Sequence, residues 1–253
     1  MIVVTAASGE LGRLVVGRLS RRTEVVAAVR DRSRAPEGVE VRHGDYDDPA
    51  GLRAAFKGAR KVLLISSPEL DAVRRVAHHR NAIDAARDAG VDAIVYTSFL
   101  GADTAAVGLT EAHHATEQVL RGSGVPHTLL RNPFYSDAFV PKIVDGELTG
   151  SVGGHGLNTA FRADLADAAA EVLLDDEHFG KAYDLTGPLW THPGVAGDLG
   201  VAYREVPDDG PGPMRWLNAQ VRAGALERQT PDLARVLGRA PRTMAEHLRG
   251  TVH

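Results

Sequence analysis

The first two thirds of the chain alternate between short apolar runs and longer segments whose apolar residues recur at helical spacing. The short runs are rich in valine, isoleucine and leucine, and they span residues 2–4, 24–29, 39–42, 62–65, 93–96 and 128–130. Runs of this length favour buried strands, and the spacing between them favours amphipathic helices. The alternation predicts a doubly wound α/β fold built on a parallel sheet.

The helices predicted between these strands have identifiable ends. Asp48 has the character of an N-cap for the second helix. The third helix follows Pro68, carries Leu70 and Val73 on its predicted buried side, and ends at Gly90.

A turn of small residues links the first strand to the first helix. Its sequence is Thr5-Ala6-Ala7-Ser8-Gly9-Glu10-Leu11-Gly12. A helix that begins near Gly9 points its unpaired N–H groups at the position where a Rossmann-type fold holds a dinucleotide pyrophosphate. Gly12 lets that helix approach the sheet. The pattern is Ala6-x-x-Gly9-x-x-Gly12, and its spacing departs from that of the G-x-G-x-x-G fingerprint.

The second strand ends at an arginine rather than an acidic residue. Asp or Glu at this point accepts hydrogen bonds from the ribose hydroxyls of NAD, whereas Arg30 can pair with a 2′-phosphate. The sequence therefore predicts NADPH as the cofactor. The alternative is that Arg30 is a solvated charge in an arginine-rich loop.

The pattern loosens after about residue 132. Residues 134–148 predict an irregular helix, 150–156 a glycine-rich loop, 163–173 a clear helix and 183–185 a short strand. Residues 187–253 predict a small lobe that covers the carboxyl ends of the strands. We predict an NADP-binding core over residues 1–150, followed by a returning helix, a strand and a small C-terminal lobe over residues 151–253, all in a single structural unit.

Composition and charge narrow the range of functions that the protein can have. The net charge is −4 and the pI is about 6.3, which gives no basic surface for nucleic acid. The chain has no cysteine, so thiolate chemistry is excluded and redox chemistry requires a bound cofactor. The sequence has no long apolar run for a membrane span and no signal peptide, because Met1 leads straight into the first strand. We therefore expect a cytoplasmic protein.

Several further motifs occur in a fixed order along the chain. They are Gly44-Asp45-Tyr46-Asp47-Asp48-Pro49, Leu63-Leu64-Ile65-Ser66-Ser67, His79-Arg80-Asn81-Ala82-Ile83-Asp84-Ala85-Ala86, Val95-Tyr96-Thr97-Ser98 and Leu129-Leu130-Arg131-Asn132. Together they resemble the NmrA-like branch of the atypical short-chain dehydrogenases, and within it the bacterial NAD(P)H:quinone oxidoreductases. The resemblance covers residues 1 to about 185 and reaches the tail only loosely.

The resemblance implies a set of cofactor contacts. It assigns the pyrophosphate to Thr5, Ala6, Ala7, Ser8, Gly9, Glu10 and Leu11, and the 2′-phosphate to Arg30. It assigns the adenine to Asp45 and Tyr46, the ribose chain to Ser66, Ser67 and Pro68, and the nicotinamide ribose to Thr97, Ser98 and Phe99. It assigns the nicotinamide side to Asn132, Pro133, Phe134, Tyr135 and Arg162. For Arg162 the alternative is a charge that merely precedes a helix.

The catalytic pair of standard short-chain dehydrogenases is missing. Leu109 and His113 stand where the family has Tyr-x-x-x-Lys. Reduction of a simple ketone forms an alkoxide, whose conjugate acid lies near the pKa of water, about 15.7, and needs a positioned acid. A quinone forms a phenolate-like anion, whose conjugate acid has a pKa of about 10 and takes a proton from solvent. The absence of the Tyr-Lys pair therefore favours conjugated acceptors. His113 is the candidate catalytic residue.

Other histidines and aromatic residues are candidates for metal ligands or for substrate contacts, and the sequence signals for these roles are weaker. His78-His79 and His113-His114 are adjacent pairs that do not face one another, so we predict no metal site. His79 is expected to be a packed or capping residue. Phe134 and Tyr135 predict a stacking wall for a small planar substrate, and lid or core packing is the alternative.

These observations lead to three functional hypotheses. The first is an NADPH-dependent reductase that transfers hydride to a quinone or a similarly conjugated acceptor. The second is a biosynthetic tailoring reductase that acts on a polycyclic aromatic intermediate. The third is a redox-sensing regulator that binds NADP(H) with little turnover, which Ala6 and the lost Tyr-Lys pair favour. A homodimer is left open.

Overall fold

The structure is a computed structural model that describes residues 1–104 and 108–251. In those ranges the strands are β1 (Ile2–Val4), β2 (Val25–Val29), β3 (Glu40–His43), β4 (Lys61–Leu64), β5 (Ala93–Phe99), β6 (His127–Asn132), β7 (Ile143–Val144), β8 (Glu147–Gly150), β9 (Ala182–Asp184) and β10 (Ala202–Glu205). The α-helices are α1 (Glu10–Leu19), α2 (Pro49–Phe56), α3 (Ala72–Asp88), α4 (Glu111–Gly122), α5 (Arg162–Leu174), α6 (His192–Leu199), α7 (Gly212–Arg222), α8 (Asp232–Leu237) and α9 (Met244–Thr251).

The main sheet has seven parallel strands in the order β3-β2-β1-β4-β5-β6-β9. In the register, Val3 of β1 lies between Val26 of β2 and Val62 of β4. The strand order reverses on the two sides of β1, and this is the point at which doubly wound folds bind ligands. The predicted Rossmann-type fold is confirmed.

The chain divides into two compact units. The first comprises Met1–Asn132 and Leu165–Leu185, and the second comprises Pro133–Asp164 and Thr186–His253. Alternate strand residues such as Val3 and Val62 form one apolar cluster with residues of α2 and α3. The intervening strand residues, such as Val4 and Leu63, are buried too, as expected for parallel strands covered by helices on both faces. The domain organisation predicted from the sequence, with a boundary at residue 150, stays a prediction.

The second unit has its own small sheet and apolar cluster. In that sheet β8 pairs antiparallel with β7 and parallel with β10. The cluster is formed by apolar residues that include Leu148, Leu157, Phe161 and Trp190, all of them buried.

The irregular helix predicted over residues 134–148 is wrong. The segment forms a short 3₁₀ turn at Ser136–Ala138 and then the hairpin of β7 and β8. The hairpin turn is Asp145-Gly146, where φ is 51° and 74°. Two left-handed residues in succession match the type I′ turn that Asp-Gly favours, so this sequence signal outweighs the helical spacing.

The buried face predicted for the third helix is also wrong at its start. Leu70 and Val73 are 90% and 79% exposed. Leu70 precedes α3, and Val73 lies nine residues before the buried Ala82, which at about 100° per residue puts the two on opposite sides of the helix. The buried face of α3 instead carries His78 and His79.

Candidate active site

The turn after β1 leaves the start of α1 open. Gly9 is the N-cap in an extended conformation, and no side chain caps the helix. The Gly9 N–H donates to the carbonyl oxygen of Ala6 at 3.0 Å. Helix starts of this kind bind anions such as a pyrophosphate, and the pyrophosphate contact of residues 5–11 stays a prediction.

Gly12 is required by close packing under this turn. A Cβ atom at Gly12 would lie 2.6 Å from the Ala6 carbonyl oxygen and 2.8 Å from the Ala7 Cα. Both neighbours are backbone atoms that cannot move aside. Gly12 therefore lets α1 pack directly on the turn that follows β1.

Ala6 adopts a left-handed conformation, with φ of 46°. This is the condition under which alanine is strained and glycine is not. We expect Ala6→Gly to raise the free energy of unfolding by about 1 kcal/mol and to tighten NADPH binding, because it relieves that strain and removes a methyl group from the phosphate approach. Chemical denaturation and calorimetric titration measure the two effects.

Ala7→Gly is the matched control for this prediction. Ala7 is fully buried and is not among the residues with positive φ. Its replacement by glycine is expected to destabilise the protein, because it adds backbone freedom and removes a buried methyl group. Equal effects of the two substitutions, or weaker NADPH binding by Ala6→Gly, would show that the left-handed alanine is well accommodated.

A cleft of about 410 Å³ lies at the carboxyl ends of β1, β2 and β4 in the first unit. Seven of the predicted cofactor residues line it together: Ala6, Ser8, Arg30, Asp45, Tyr46, Ser67 and Pro68. The cleft is also lined by residues that were not predicted from the sequence, among them Arg34, Arg74 and His78. Arg30 and Arg34 lie four residues apart in the arginine-rich loop after β2. Their shared loop is the sequence feature that could have indicated Arg34 as a second cleft residue.

Tyr46 is fixed at the floor of the cleft rather than free to contact a ligand with its hydroxyl. Its hydroxyl bonds to Thr5 Oγ1 at 2.6 Å and to the Ile65 carbonyl oxygen. Thr5 Oγ1 in turn donates to the Leu63 carbonyl oxygen at 3.0 Å. Burial raises the pKa of Tyr46, so the phenol stays neutral.

The remaining predicted residues of the first unit follow β4, β5 and β6. Thr97 Oγ1 accepts from the Ser66 N–H at 2.9 Å, and Ser98 Oγ donates to Glu117 at 2.7 Å. Asn132 is 4% exposed, and its Oδ1 atom has no hydrogen-bond partner among the described residues. An unpaired buried oxygen costs about 1–3 kcal/mol, so a ligand that donates to it gains that energy back.

Four predicted residues, Pro133, Phe134, Tyr135 and Arg162, belong to the second unit. The Arg162 guanidinium lies over the Tyr135 ring at 4.4 Å. Phe134 packs against the apolar cluster and meets Phe139 edge to face, with ring centroids 6.0 Å apart. Phe134 therefore contributes to packing, and the stacking wall for a substrate stays a prediction.

His113 lies on α4 and is 7% exposed. Its Nδ1 atom is 2.9 Å from the Tyr96 hydroxyl, and its ring centroid is 5.8 Å from that of Phe99. Burial lowers the pKa of His113 to about 4, so the ring is neutral at physiological pH. Leu109, which stands where standard short-chain dehydrogenases have their tyrosine, is 49% exposed.

The pKa of His113 predicts acid sensitivity. The unfolded chain, with a histidine pKa of about 6.5, binds this proton more tightly than the folded protein does. The contribution of His113 to stability is therefore complete above about pH 6.5 and is lost as the pH falls toward 4. At about pH 5 we expect a loss of about 2 kcal/mol from this residue. Burial also lowers the pKa of His79, which adds a loss of the same sign.

Denaturation by urea at about pH 7 and about pH 5 measures this loss. The His113→Gln variant is the control, because glutamine does not titrate, and the pH dependence should be smaller in it. An unchanged pH dependence in His113→Gln would contradict the assignment.

A buried charge cluster holds α4 against the sheet. Glu117 is fully buried and receives two hydrogen bonds of 2.9 Å from Arg131. Burial opposes the charge on Glu117, but hydrogen bonds from Arg131 and Ser98 outweigh it and lower the pKa of Glu117. The hydrogen bond with Glu117 raises the pKa of Arg131. Because Glu117 follows His113 by four residues, the cluster anchors the helix face that carries His113.

The chain matches a known group of proteins. A family model described as NAD(P)H-binding matches residues 6–176. The chain belongs to this NAD(P)H-binding family. It is 41% identical over 211 residues to quinone oxidoreductase 2 of Escherichia coli K12, an alignment that covers 79% of this chain and 73% of that protein.

Solved structures agree with this membership. The triphenylmethane reductase of a Citrobacter species, complexed with NADP(H), is 32% identical with a TM-score of 0.89 over 99% of each chain. The NADPH-dependent quinone oxidoreductase of Escherichia coli, complexed with NADPH, is 33% identical with a TM-score of 0.85 over 100% of each chain. Across residues 1–104 and 108–251, no helix is long and apolar enough to cross a bilayer.

Proposed function

We propose that the protein is an NADPH-dependent reductase that transfers hydride to a quinone or to a similarly conjugated or polycyclic aromatic acceptor. The relatives support this class, because one is a quinone oxidoreductase and another reduces triphenylmethane compounds. Both solved relatives were crystallised with the phosphorylated cofactor. The resemblance of the sequence motifs to those of bacterial NAD(P)H:quinone oxidoreductases implies the same reaction.

The first unit offers suitable contacts for NADPH. The turn of residues 5–11 and the open start of α1 suit the pyrophosphate, and Arg30 suits the 2′-phosphate. Asn132, at the end of β6, has a buried Oδ1 atom with no hydrogen-bond partner among the described residues. When bound, NADPH supplies a hydride, and the protein's part is to orient the acceptor and stabilise the charge that forms on it.

The observation that carries the choice of acceptor is the buried neutral imidazole at the family's lysine position. His113 has a pKa of about 4, so it holds no proton that it can release at physiological pH as an imidazolium does. Leu109 cannot donate a proton either. The site therefore suits an acceptor whose reduced form is a stabilised anion that solvent protonates, as a quinone provides.

Steady-state oxidation of NADPH tests the proposal with three acceptors of different chemistry. We expect turnover with a quinone, slower turnover with an enone, and no turnover with an unconjugated ketone, because only the first two form delocalised anions. Equal rates with the ketone would contradict the proposal.

The regulator hypothesis is favoured by the missing Tyr-Lys pair and by the conformation of Ala6. Ala6 is strained at φ of 46°, and weaker cofactor binding is compatible with a sensor. Under that hypothesis the protein binds NADPH, turns over no acceptor, and captures a partner at only one NADPH to NADP ratio. Placement in the short-chain dehydrogenase branch, a cytoplasmic location, independence from nucleic acid and a homodimeric state belong to the proposal as further expectations.

A further inference from the structure

A row of hydrogen-bonded polar side chains inside the first unit begins at Ser67, which lines the cleft, and ends at His113. It connects the loop after β4 to α4 through hydrogen bonds between neutral groups. Its members are Ser67, His79, Thr116, Tyr96 and His113, all buried. Because each proton in such a row can serve only one acceptor, the position of one proton fixes the next.

The direction of the row is set by a backbone group at its start. The Ser67 N–H donates to His79 Nε2 at 2.9 Å. A backbone N–H can only donate, so Nε2 of His79 is the acceptor. Burial lowers the pKa of His79 well below its usual range. The neutral ring therefore carries its single proton on Nδ1.

The next step uses that proton. His79 Nδ1 donates a hydrogen bond to Thr116 Oγ1 at 2.8 Å, and the Thr116 hydroxyl donates to the Ala112 carbonyl oxygen at 2.7 Å. Tyr96 Oη lies 3.5 Å from His79 Nδ1. Since that nitrogen already carries a proton, Tyr96 cannot donate to it.

The proton of Tyr96 then has one strong acceptor. His113 Nδ1 lies 2.9 Å from the Tyr96 hydroxyl. The hydroxyls of Ser66 and Thr116 also face Tyr96, but an imidazole nitrogen is a stronger acceptor than a hydroxyl oxygen. Burial raises the pKa of Tyr96 and lowers that of His113, which keeps both groups neutral.

We propose that Tyr96 is a positioning residue that holds His113 in the neutral Nε2–H tautomer, so that this N–H donates a hydrogen bond to the carbonyl oxygen of the acceptor. The proposal rests on the proposed reductase function for the identity of the acceptor. The tautomer itself rests only on the hydrogen bonds of the row. A neutral histidine in this role stabilises a developing oxyanion electrostatically.

The proposal makes His113 a hydrogen-bond donor and not the source of the proton. The hydride adds to the conjugated system, an electron pair moves onto the carbonyl oxygen, and water later supplies the proton to that oxygen. Full transfer from His113 Nε2, with the Tyr96 proton moving to Nδ1, would leave a tyrosinate. Burial disfavours that anion, because it raises the pKa of Tyr96.

Nitrogen NMR of ¹⁵N-histidine-labelled protein tests the tautomer directly, with and without NADPH and with no acceptor present. The His113 signal, assigned by its loss in His113→Gln, should show a protonated Nε2 and a bare Nδ1. The His79 signal should show the reverse. A His113 ring protonated at Nδ1 in the native protein overturns the proposal, whether or not the protein reduces quinones.

Tyr96→Phe provides the second arm. It should leave His113 as a mixture of tautomers and lower kcat about tenfold with KM for the quinone and Kd for NADPH unchanged. In a His113→Ala background it should have no further effect on kcat. Tyr183→Phe is the matched control, because it removes a 2.6 Å hydrogen bond to His178 elsewhere in the same unit. A fall in kcat without a change of the His113 tautomer overturns the proposal.

If Tyr96→Phe does not fold, the native spectrum still decides the tautomer. If the tautomer is as proposed but no quinone is reduced, the proposed function fails and the positioning role of Tyr96 stands. The two failures are therefore distinguishable.

Discussion

Glu117→Ala is expected to lower the free energy of unfolding by about 3–5 kcal/mol, the largest effect of any single change considered for this protein. Glu117 is fully buried, and Arg131 is 8% exposed. Removal of the carboxylate takes away two hydrogen bonds of 2.9 Å from a buried guanidinium. Asp103 at 3.6 Å and Asp184 at 3.5 Å still balance its charge, but at these distances they do not replace the lost hydrogen bonds.

Denaturation by urea measures this loss, and Arg121→Ala is its control. Arg121 also bonds to Glu117, at 2.8 Å, but its side chain is 41% exposed. We expect Arg121→Ala to cost less than about 1 kcal/mol, because water replaces the exposed charge. Equal losses in the two variants would show that the cluster is not a buried, coupled unit.

Arg30→Asp is expected to remove the preference for NADPH over NADH. A charge-assisted hydrogen bond to a phosphate contributes about 1.5–3 kcal/mol, which corresponds to roughly 10- to 150-fold in Kd. Arg30 is exposed and lines the cleft. Calorimetric titration with both cofactors should show weaker NADPH binding and little change for NADH, because only NADPH carries the 2′-phosphate.

Arg32→Asp makes the same charge change two residues away. Arg32 does not line the cleft, and its side chain donates to the Val41 carbonyl oxygen at 3.0 Å. It should keep most of the cofactor preference. Equal Kd values for NADPH and NADH in the native protein would exclude Arg30 as the selectivity residue.

Features of the fold that depend on neighbouring residues could be predicted from the sequence. The strand, turn and helix at the start of the chain follow from local apolar spacing and from Gly9 and Gly12, which lie where the turn needs them. The hairpin at Asp145-Gly146 had a local signal that outweighs helical spacing. The exposure of Val73 also follows from helical spacing, because Val73 lies nine residues before the buried Ala82 and therefore on the opposite side of α3.

The residues of the candidate site also differ in whether local sequence could predict their roles. Arg30 and Ala6 are assigned by their positions along one strand and one turn. The row from Ser67 through Tyr96 to His113 joins residues from a loop, a strand and two helices. Sequence spacing cannot reveal hydrogen bonds between elements that only the tertiary fold brings together. His79 was expected to be packed, and its burial is confirmed. The nitrogen of His79 that carries the proton, however, can be assigned only from its hydrogen bond with the backbone N–H of Ser67.

Hydride transfer itself is tested most directly by a single turnover of protein-bound NADPH. Protein saturated with NADPH is mixed with a quinone, and the absorbance of the reduced nicotinamide is followed with unlabelled cofactor and with cofactor deuterated at the transferred position. For a quinone reductase we expect the absorbance to disappear in one kinetic phase, the deuterium to slow that phase, and the label to leave the cofactor. Bound NADPH that stays reduced in the presence of quinones would contradict the reductase function and would favour the sensor.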